Sequence, residues 1–285
     1  MFAGMARRRP ILAACATALL CAAPAAAQVP VPPLGGGGQP PPDQGQQPSD
    51  PPQQSSPSGS GSGSGSGSRG KPKPVYAAVS NERTRTLWGR PLELAPARVR
   101  PRSNARAITT LHWNTEDGYP EVYVVLARYT DSARHVWLKV RLPMRPNGRT
   151  GWVPRAALGG LQTVDTFLRV DKRTLHATLY RHGRAIWRAP VGIGKPGTET
   201  PGGRFYIRER LRVPSRGSLY GPLAFGTSAY SKLSDWPGGG VIGIHGTNEP
   251  GLIPGRPSHG CIRVRNGDIV RLGRLMPIGT PVRIG

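Results

Sequence analysis

The sequence predicts a mainly β protein: a strand-rich C-terminal part with one short helix, preceded by a small β-barrel domain, both behind an unfolded leader. Three observations predict this. Short apolar runs, several alternating at period two, recur from residue 121 to the C-terminus. Only residues 266–276 carry a helical apolar period in the folded part. Gly (39) and Pro (32) together stand at roughly twice their usual share, which excludes one compact domain running through all 285 residues.

Charge and cysteine content narrow the function classes. The formal net charge is +24, carried mostly by Arg in both folded parts. Such a surface suits anionic partners, namely wall polymers or lipid headgroups. Nucleic acid is the other reading of the charge, but no nucleic-acid motif is present and the leader argues against it. Three cysteines, at 15, 21 and 261, exclude a disulfide-dense scaffold.

Residues 1–27 read as a secretory signal. Arg7, Arg8 and Arg9 form a positive start, residues 11–23 a short apolar run, and Ala25-Ala26-Ala27 a small-residue cleavage pattern. Cleavage is expected after Ala27. Leu12-Ala13-Ala14-Cys15 has the look of a lipoprotein box behind too short an apolar stretch, and Arg8-Arg9 faintly resembles a twin-arginine signal. Cys15 and Cys21 leave with the signal, so Cys261 becomes a lone thiol: intermolecular, inert and buried, or reactive.

Residues 28–74 are Pro, Gln, Gly and Ser, with a Gly-Ser repeat from Ser58 to Ser68. They hold too little apolar surface to offset chain entropy and read as a disordered linker. As a tether they reach between about 40 Å when coiled and about 150 Å when extended.

Residues 75–160 are expected to form a small β domain. Residues 121–126 and 136–142 are strand-like, and Gly148 precedes the aromatic strand end Thr150-Gly151-Trp152-Val153-Pro154. Residues 137–154 resemble the closing hairpin of bacterial SH3-like wall domains. The alternative is a generic β unit packed on its neighbour.

Residues 161–285 open with strands at 166–170, 175–180 and 185–191. Arg181-His182-Gly183-Arg184 reads as the hairpin turn between the last two, which makes His182 an exposed turn residue. Arg204, Arg208, Arg210 and Arg212 alternate at strand spacing and read as a solvated basic face, or second as a contact for wall polymers. Trp236 with Pro237-Gly238-Gly239-Gly240 reads as a loop before the strand that leads to His245. Residues 241–244 form a buried strand that delivers His245. Residues 266–276 form the helix, with Asn266 as N-cap and Ile269, Leu272, Leu275 and Met276 as its apolar face. A last strand ends at Arg283 and Ile284.

The chemistry concentrates at His245, His259 and Cys261. In Ser258-His259-Gly260-Cys261, glycine directly precedes the lone thiol and allows close approach of a ligand to the backbone. A run of N–H groups there can hold a carbonyl oxygen as it becomes negative. A thiol acts as nucleophile when a neighbouring imidazole takes its proton, and His245 sits at a strand end in a Gly-rich loop. Cys261 with His245 therefore meets the needs of acyl transfer. Two other readings stay open on residues alone: an open zinc site built from two His and one Cys, and a buried structural cysteine with hydrogen-bonded histidines.

Ile244-His245-Gly246-Thr247-Asn248-Glu249-Pro250, followed by Ser258-His259-Gly260-Cys261-Ile262-Arg263-Val264-Arg265-Asn266-Gly267-Asp268, resembles the signature of L,D-transpeptidase catalytic domains of the YkuD type. The likeness spans residues 161–285 and includes Thr200-Pro201-Gly202. It implies a β-sandwich-like core with a cleft under a mobile hairpin, and an enzyme that needs neither metal nor cofactor. It implies Cys261 as nucleophile and His245 as its base, oriented by a backbone carbonyl near Gly246. Backbone N–H groups of His259, Gly260 and Cys261 would form the oxyanion hole, with Ser258 and Gly246 supporting the motif. Arg263 and Asn266 would hold substrate carboxylates or order the loop, with Thr247 also near the substrate. Tyr220 and Tyr230 fall in the family's lid segment, as lid packing first or as lining of the donor site, with Tyr230 counted among the substrate-binding residues. The implied partners are tetrapeptide stems of peptidoglycan, with carbapenem β-lactams as acylating agents. A protein of the same fold that binds the wall without turnover is the rival class.

Overall fold

The computed structural model describes residues 72–214, 217–235 and 237–285. The expected signal, the expected linker up to residue 71 and Trp236 lie outside the described residues.

Two sheets organise the described chain. The first contains β1 (Val75–Ala78), β2 (Thr86–Gly89), β3 (Pro96–Arg98), β4 (Ala107–Thr110), β5 (Tyr123–Thr130), β6 (Val136–Arg141), β7 (Thr150–Pro154) and β8 (Gln162–Val164). Its order is β4-β3-β7-β6-β5-β2-β8, with β1 also paired to β5. Alternation on β6 and β7 sends Leu138, Val140 and Val153 into a core with Ala97, Leu111 and Val125. The sheet runs past the boundary expected at residue 160, because Gln162, Thr163 and Val164 pair with Trp88, Leu87 and Thr86. Glu121 precedes β5 rather than starting it, and its side chain is fully buried.

The second sheet contains β9 (Thr166–Asp171), β10 (His176–Arg181), β11 (Arg184–Pro190), β12 (Gly192–Gly194), β13 (Gly203–Arg212), β14 (Leu223–Tyr230), β15 (Val241–His245), β16 (Gly255–Ser258), β17 (Ile262–Arg263) and β18 (Pro281–Ile284). Its order is β11-β10-β9-β18-β13-β14-β15-β17-β12-β16. The core beneath includes Leu168, Phe205, Phe225, Ile244 and Ile262, and helix α1 (Asn266–Leu275) adds Ile269 and Leu272. His182 occupies the expected turn at positive φ (48°), with its Nε2 2.9 Å from Asp165 Oδ2.

Two expectations change. The N-cap of α1 is Arg265, not Asn266. Asn266 is the first helical residue, and its Oδ1 is committed to the Thr247 N–H (2.8 Å). Arg208 leaves the expected basic face. The β13–β14 register shifts between Ile207 and Glu209, which breaks the alternation, and Arg208 is 1% exposed. Arg204, Arg210 and Arg212 stay exposed.

The same shift builds the junction between the sheets. Arg208 Nε donates to both Glu121 carboxylate oxygens (3.0 and 3.1 Å), its Nη2 also donates to Glu121, and its Nη1 donates to Glu116 (2.8 Å). Nearby, the Tyr206 hydroxyl donates to the Val122 carbonyl (2.9 Å), and Trp88, Val122, Val124, Val164 and Tyr206 form a shared apolar cluster. A buried Arg is tolerable only with such partners.

Candidate active site

The site lies on one face of the second sheet, where the middle strands end. β15 carries His245 at its last position, and β17, parallel beside it, starts just after Cys261. Parallel strands therefore bring His245 and Cys261 to the same sheet edge despite their separation in sequence. A Cβ placed on Gly243 would lie 3.6 Å from His245 Cδ2 and 3.8 Å from Cys261 Sγ. The bare glycine is the floor that both imidazole and thiol border.

His245 is 3% exposed. Its Nδ1 lies 2.6 Å from the Gly246 carbonyl. A carbonyl only accepts, so Nδ1 carries the proton and Nε2 keeps its lone pair. Burial, foremost, lowers the His245 pKa to about 4, with the Arg263 charge adding to it and the Gly246 carbonyl opposing it. Burial raises the Cys261 thiol above its ordinary range, opposed by the Gly243 N–H, which donates to Sγ at 3.4 Å, and by Arg263. At neutral pH these directions leave Cys261 as thiol and His245 as neutral imidazole, the protonation states from which a Cys–His pair can begin acyl transfer.

The turn that presents Cys261 is braced from two sides. Ser258 Oγ accepts the Gly260 N–H (3.1 Å) and donates to the Cys261 carbonyl (2.6 Å). Thr200 Oγ1 donates to the Gly260 carbonyl (2.7 Å) and accepts the Gly194 N–H (2.9 Å). Gly260 holds φ at +126°, and a Cβ there would stand 2.9 Å from Ile242 Cδ1, so only glycine fits without strain. Its N–H is engaged by Ser258, which makes Gly260 a shaping residue of the turn. His259 is exposed beside it. Among the described residues, no three His, Cys, Asp or Glu side chains form a metal-binding group.

The remaining candidates divide. Thr247 is buried; its N–H reaches Asn266 and its Oγ1 accepts the Glu249 N–H (3.0 Å). Thr247 and Asn266 thus order the loop after His245, and both border a hollow adjoining the catalytic cleft. Arg263 is 8% exposed and its Nη1 pairs with Glu249 Oε2 (2.6 Å). It acts on His245 and Cys261 through its charge. Tyr230 does not reach the cleft: its hydroxyl donates to Glu116, and the Pro143 carbonyl and Arg208 Nη1 lie within hydrogen-bond distance of it. Tyr220 stands there instead, edge-on to the His245 ring with centroids 4.9 Å apart.

The cleft encloses about 310 Å³. Val213, Tyr220, Phe225 and Gly226 line it together with Cys261 and His245, and Asp117 enters from the loop before β5. Sequence reasoning did not find Asp117, Thr200 as a brace, or Gly243 as the floor. Thr200 was marked only as part of the Thr200-Pro201-Gly202 likeness, and no local signal gives any of the three its role, since each acts across strands or sheets.

Residues 165–284 match the family model of the YkuD L,D-transpeptidase catalytic domain. The chain is 38% identical over 107 residues to YkuD of Bacillus subtilis, a protein named as an L,D-transpeptidase, covering 38% of this chain and 58% of that one. It is 35% identical over 130 residues to the YkuD protein of Bacillus licheniformis, covering 44% and 70%. The match thus spans less than two thirds of the first of these relatives. Among solved structures, the catalytic domain of the E. faecium L,D-transpeptidase aligns at 26% identity and TM-score 0.32, over 42% of this chain and 97% of that one.

Proposed function

This chain belongs to the YkuD family of L,D-transpeptidases, and from that premise we propose that it is an exported enzyme that cross-links peptidoglycan through a thioester on Cys261. The observation that carries the reading is the pairing of His245 and Cys261 on the Gly243 floor, with Nδ1 of His245 anchored by the Gly246 carbonyl.

The reaction runs in two halves. Cys261 Sγ attacks the carbonyl between the L-centre of a diamino acid and the terminal D-alanine of a tetrapeptide stem, while His245 Nε2 takes the thiol proton. The Cys261 N–H, with the neighbouring turn, supports the developing oxyanion. The C–N bond breaks, D-alanine leaves with the proton from His245, and the thioester remains. An amine of a second stem then attacks the thioester carbonyl, its excess proton passes through His245 to the departing sulfur as the C–S bond breaks, and the thiol is restored, leaving a 3→3 cross-link. The substrate is a peptidoglycan stem; carbapenems would acylate the same sulfur. The basic surface and the first sheet, read as an SH3-like wall-binding unit, would hold the enzyme against anionic wall polymers.

The test incubates the full chain with a disaccharide tetrapeptide, beside Cys261→Ala. The expected product is a dimer lacking one D-alanine, seen by mass and absent with the variant. Wall binding without any thioester on Cys261 would instead establish the non-catalytic reading.

A further inference from the structure

The cleft has a second polar end. Across the sheet, Glu209 on β13 pairs with Gly226 on β14, Gly226 pairs with Gly243 on β15, and Gly243 meets Cys261. These residues form one row, so all four face the same side of the sheet. A Cβ on Gly226 would lie 2.2 Å from Glu209 Oε1. The carboxyl therefore rests over a bare glycine, as the thiol does over the next one. The row is a glycine-floored trough with Cys261 at one end and Glu209 at the other.

Glu209 is 1% exposed. Its Oε2 accepts from Thr115 Oγ1 at 2.5 Å. Its Oε1 is buried with no hydrogen-bond partner among the described residues, a costly state for a carboxyl oxygen. The group facing it is another carboxyl, Asp117, which is exposed and lines the cleft beside Gly238. Burial first, then the Asp117 charge and a hydrogen bond that protonated Glu209 gives to Asp117, push Glu209 up to about 7, against the Thr115 hydrogen bond and the Arg208 charge. Arg208 is already held by Glu121 and Glu116. An incoming cation would donate to the exposed Asp117 carboxylate and relieve the repulsion between the two carboxyls.

We infer that Asp117, positioned by Glu209 behind it, binds an ammonium group of the peptide substrate at the end of the trough opposite Cys261. The inference rests on the transpeptidase reading above and names the substrate group recognised. The spacing suits it. Adjacent strands lie about 4.8 Å apart, which sets thiol and carboxyl roughly 5–10 Å from each other. In a diamino acid of lysine length, six bonds separate the reacting carbonyl carbon from the side-chain nitrogen, about 7 Å in extended form. The donor stem offers such an ammonium, and so does the acceptor amine before it loses its proton.

The experiment uses the full chain and two tetrapeptide donors, one with its side-chain amine free and one with that amine acetylated. Thioester formation and D-alanine release are followed for wild type, Asp117→Asn, Asp117→Glu and Glu209→Gln. Wild type is expected to prefer the free-amine donor about tenfold in kcat/KM. Asp117→Asn should bring that ratio near one, Asp117→Glu should keep most of it, and Glu209→Gln should lower it. A general loss of stability moves both donors together and leaves the ratio unchanged, so the ratio isolates recognition. The acceptor arm starts from enzyme acylated by the acetylated donor and varies the amine concentration. If Asp117→Asn raises the half-maximal concentration about tenfold while the donor ratio stays fixed, the site stands and the ammonium is the acceptor's. If neither quantity moves, the inference is overturned. Wild type that forms no thioester with either donor overturns the transpeptidase reading itself, whatever Asp117 does.

Discussion

At the residue scale, the electrostatics of His245 decide how the thiol is activated. Its pKa sits at about 4 because the ring is buried and Arg263 is near. A base must be neutral to accept a proton, so His245 is competent at any pH above about 4. The acid limb of thioester formation is therefore expected near pH 4, well below the ordinary imidazole range, in a pH profile of kcat/KM for the tetrapeptide. An acid limb between 6 and 7 would mean that His245 is solvated during turnover. The alkaline side follows from Cys261, whose thiol is raised by burial. Alkylation by iodoacetamide should thus keep rising past the ordinary thiol range, because the small reagent reacts with thiolate. The placement of His245 at a strand end and of Cys261 after a turn glycine was legible in the sequence, since glycine-rich strand ends and a lone thiol mark themselves locally. Tyr230 shows the limit. It ends β14 while Tyr220 lies in the turn before that strand, and no local feature says which ring faces the imidazole and which faces Glu116.

At the scale of elements, strands were readable wherever one face is buried and the other solvated. β6, β9 and β10 fall close to where alternation puts them, because each contributes side chains to one core. α1 also forms where its apolar period predicts it, although its cap differs because Asn266 serves the loop after His245 instead. Elements with buried polar contents were harder. Arg208 sits at a register shift, and a shift of one position exchanges the two faces of a strand. The turn before β18 carries a prediction. Gly279 has φ +83°, and a Cβ there would lie 2.2 Å from Trp88 Cδ1. Gly279→Ala must therefore both strain the turn and displace Trp88 from the junction between the sheets. A loss of about 1–3 kcal/mol is expected in thermal or urea unfolding. An unchanged midpoint would show that Trp88 has room to move.

At the scale of the molecule, the two sheets share a polar lock around Arg208. Glu121 is fully buried against it, and Tyr206, Asn147 and Arg145 add bonds between the first sheet and the second. Removing one partner of a buried ion pair leaves an uncompensated charge. Glu121→Ala is therefore expected to cost about 3–5 kcal/mol in urea unfolding. The double variant Glu121→Leu, Arg208→Met, which removes both charges, should recover most of it. A loss from the double variant as large as from the single one would place the stability in packing rather than in charge. The lock also brings the loop holding Glu116 and Asp117 to the cleft, so the first sheet takes part in building the site. By itself the sequence determined the strand-rich class, the helix at 266–275, and the placement of His245 at a strand end and of Cys261 in a glycine turn, because periodicity, glycine placement and residue chemistry are local properties. Only the tertiary structure decided that Arg263 pairs with Glu249, that Asn266 orders a loop, that Thr200 braces the catalytic turn and that Asp117 faces Glu209. Those outcomes depend on which strands become neighbours and in what register, and burial then forces each polar group onto whatever partner the packing supplies.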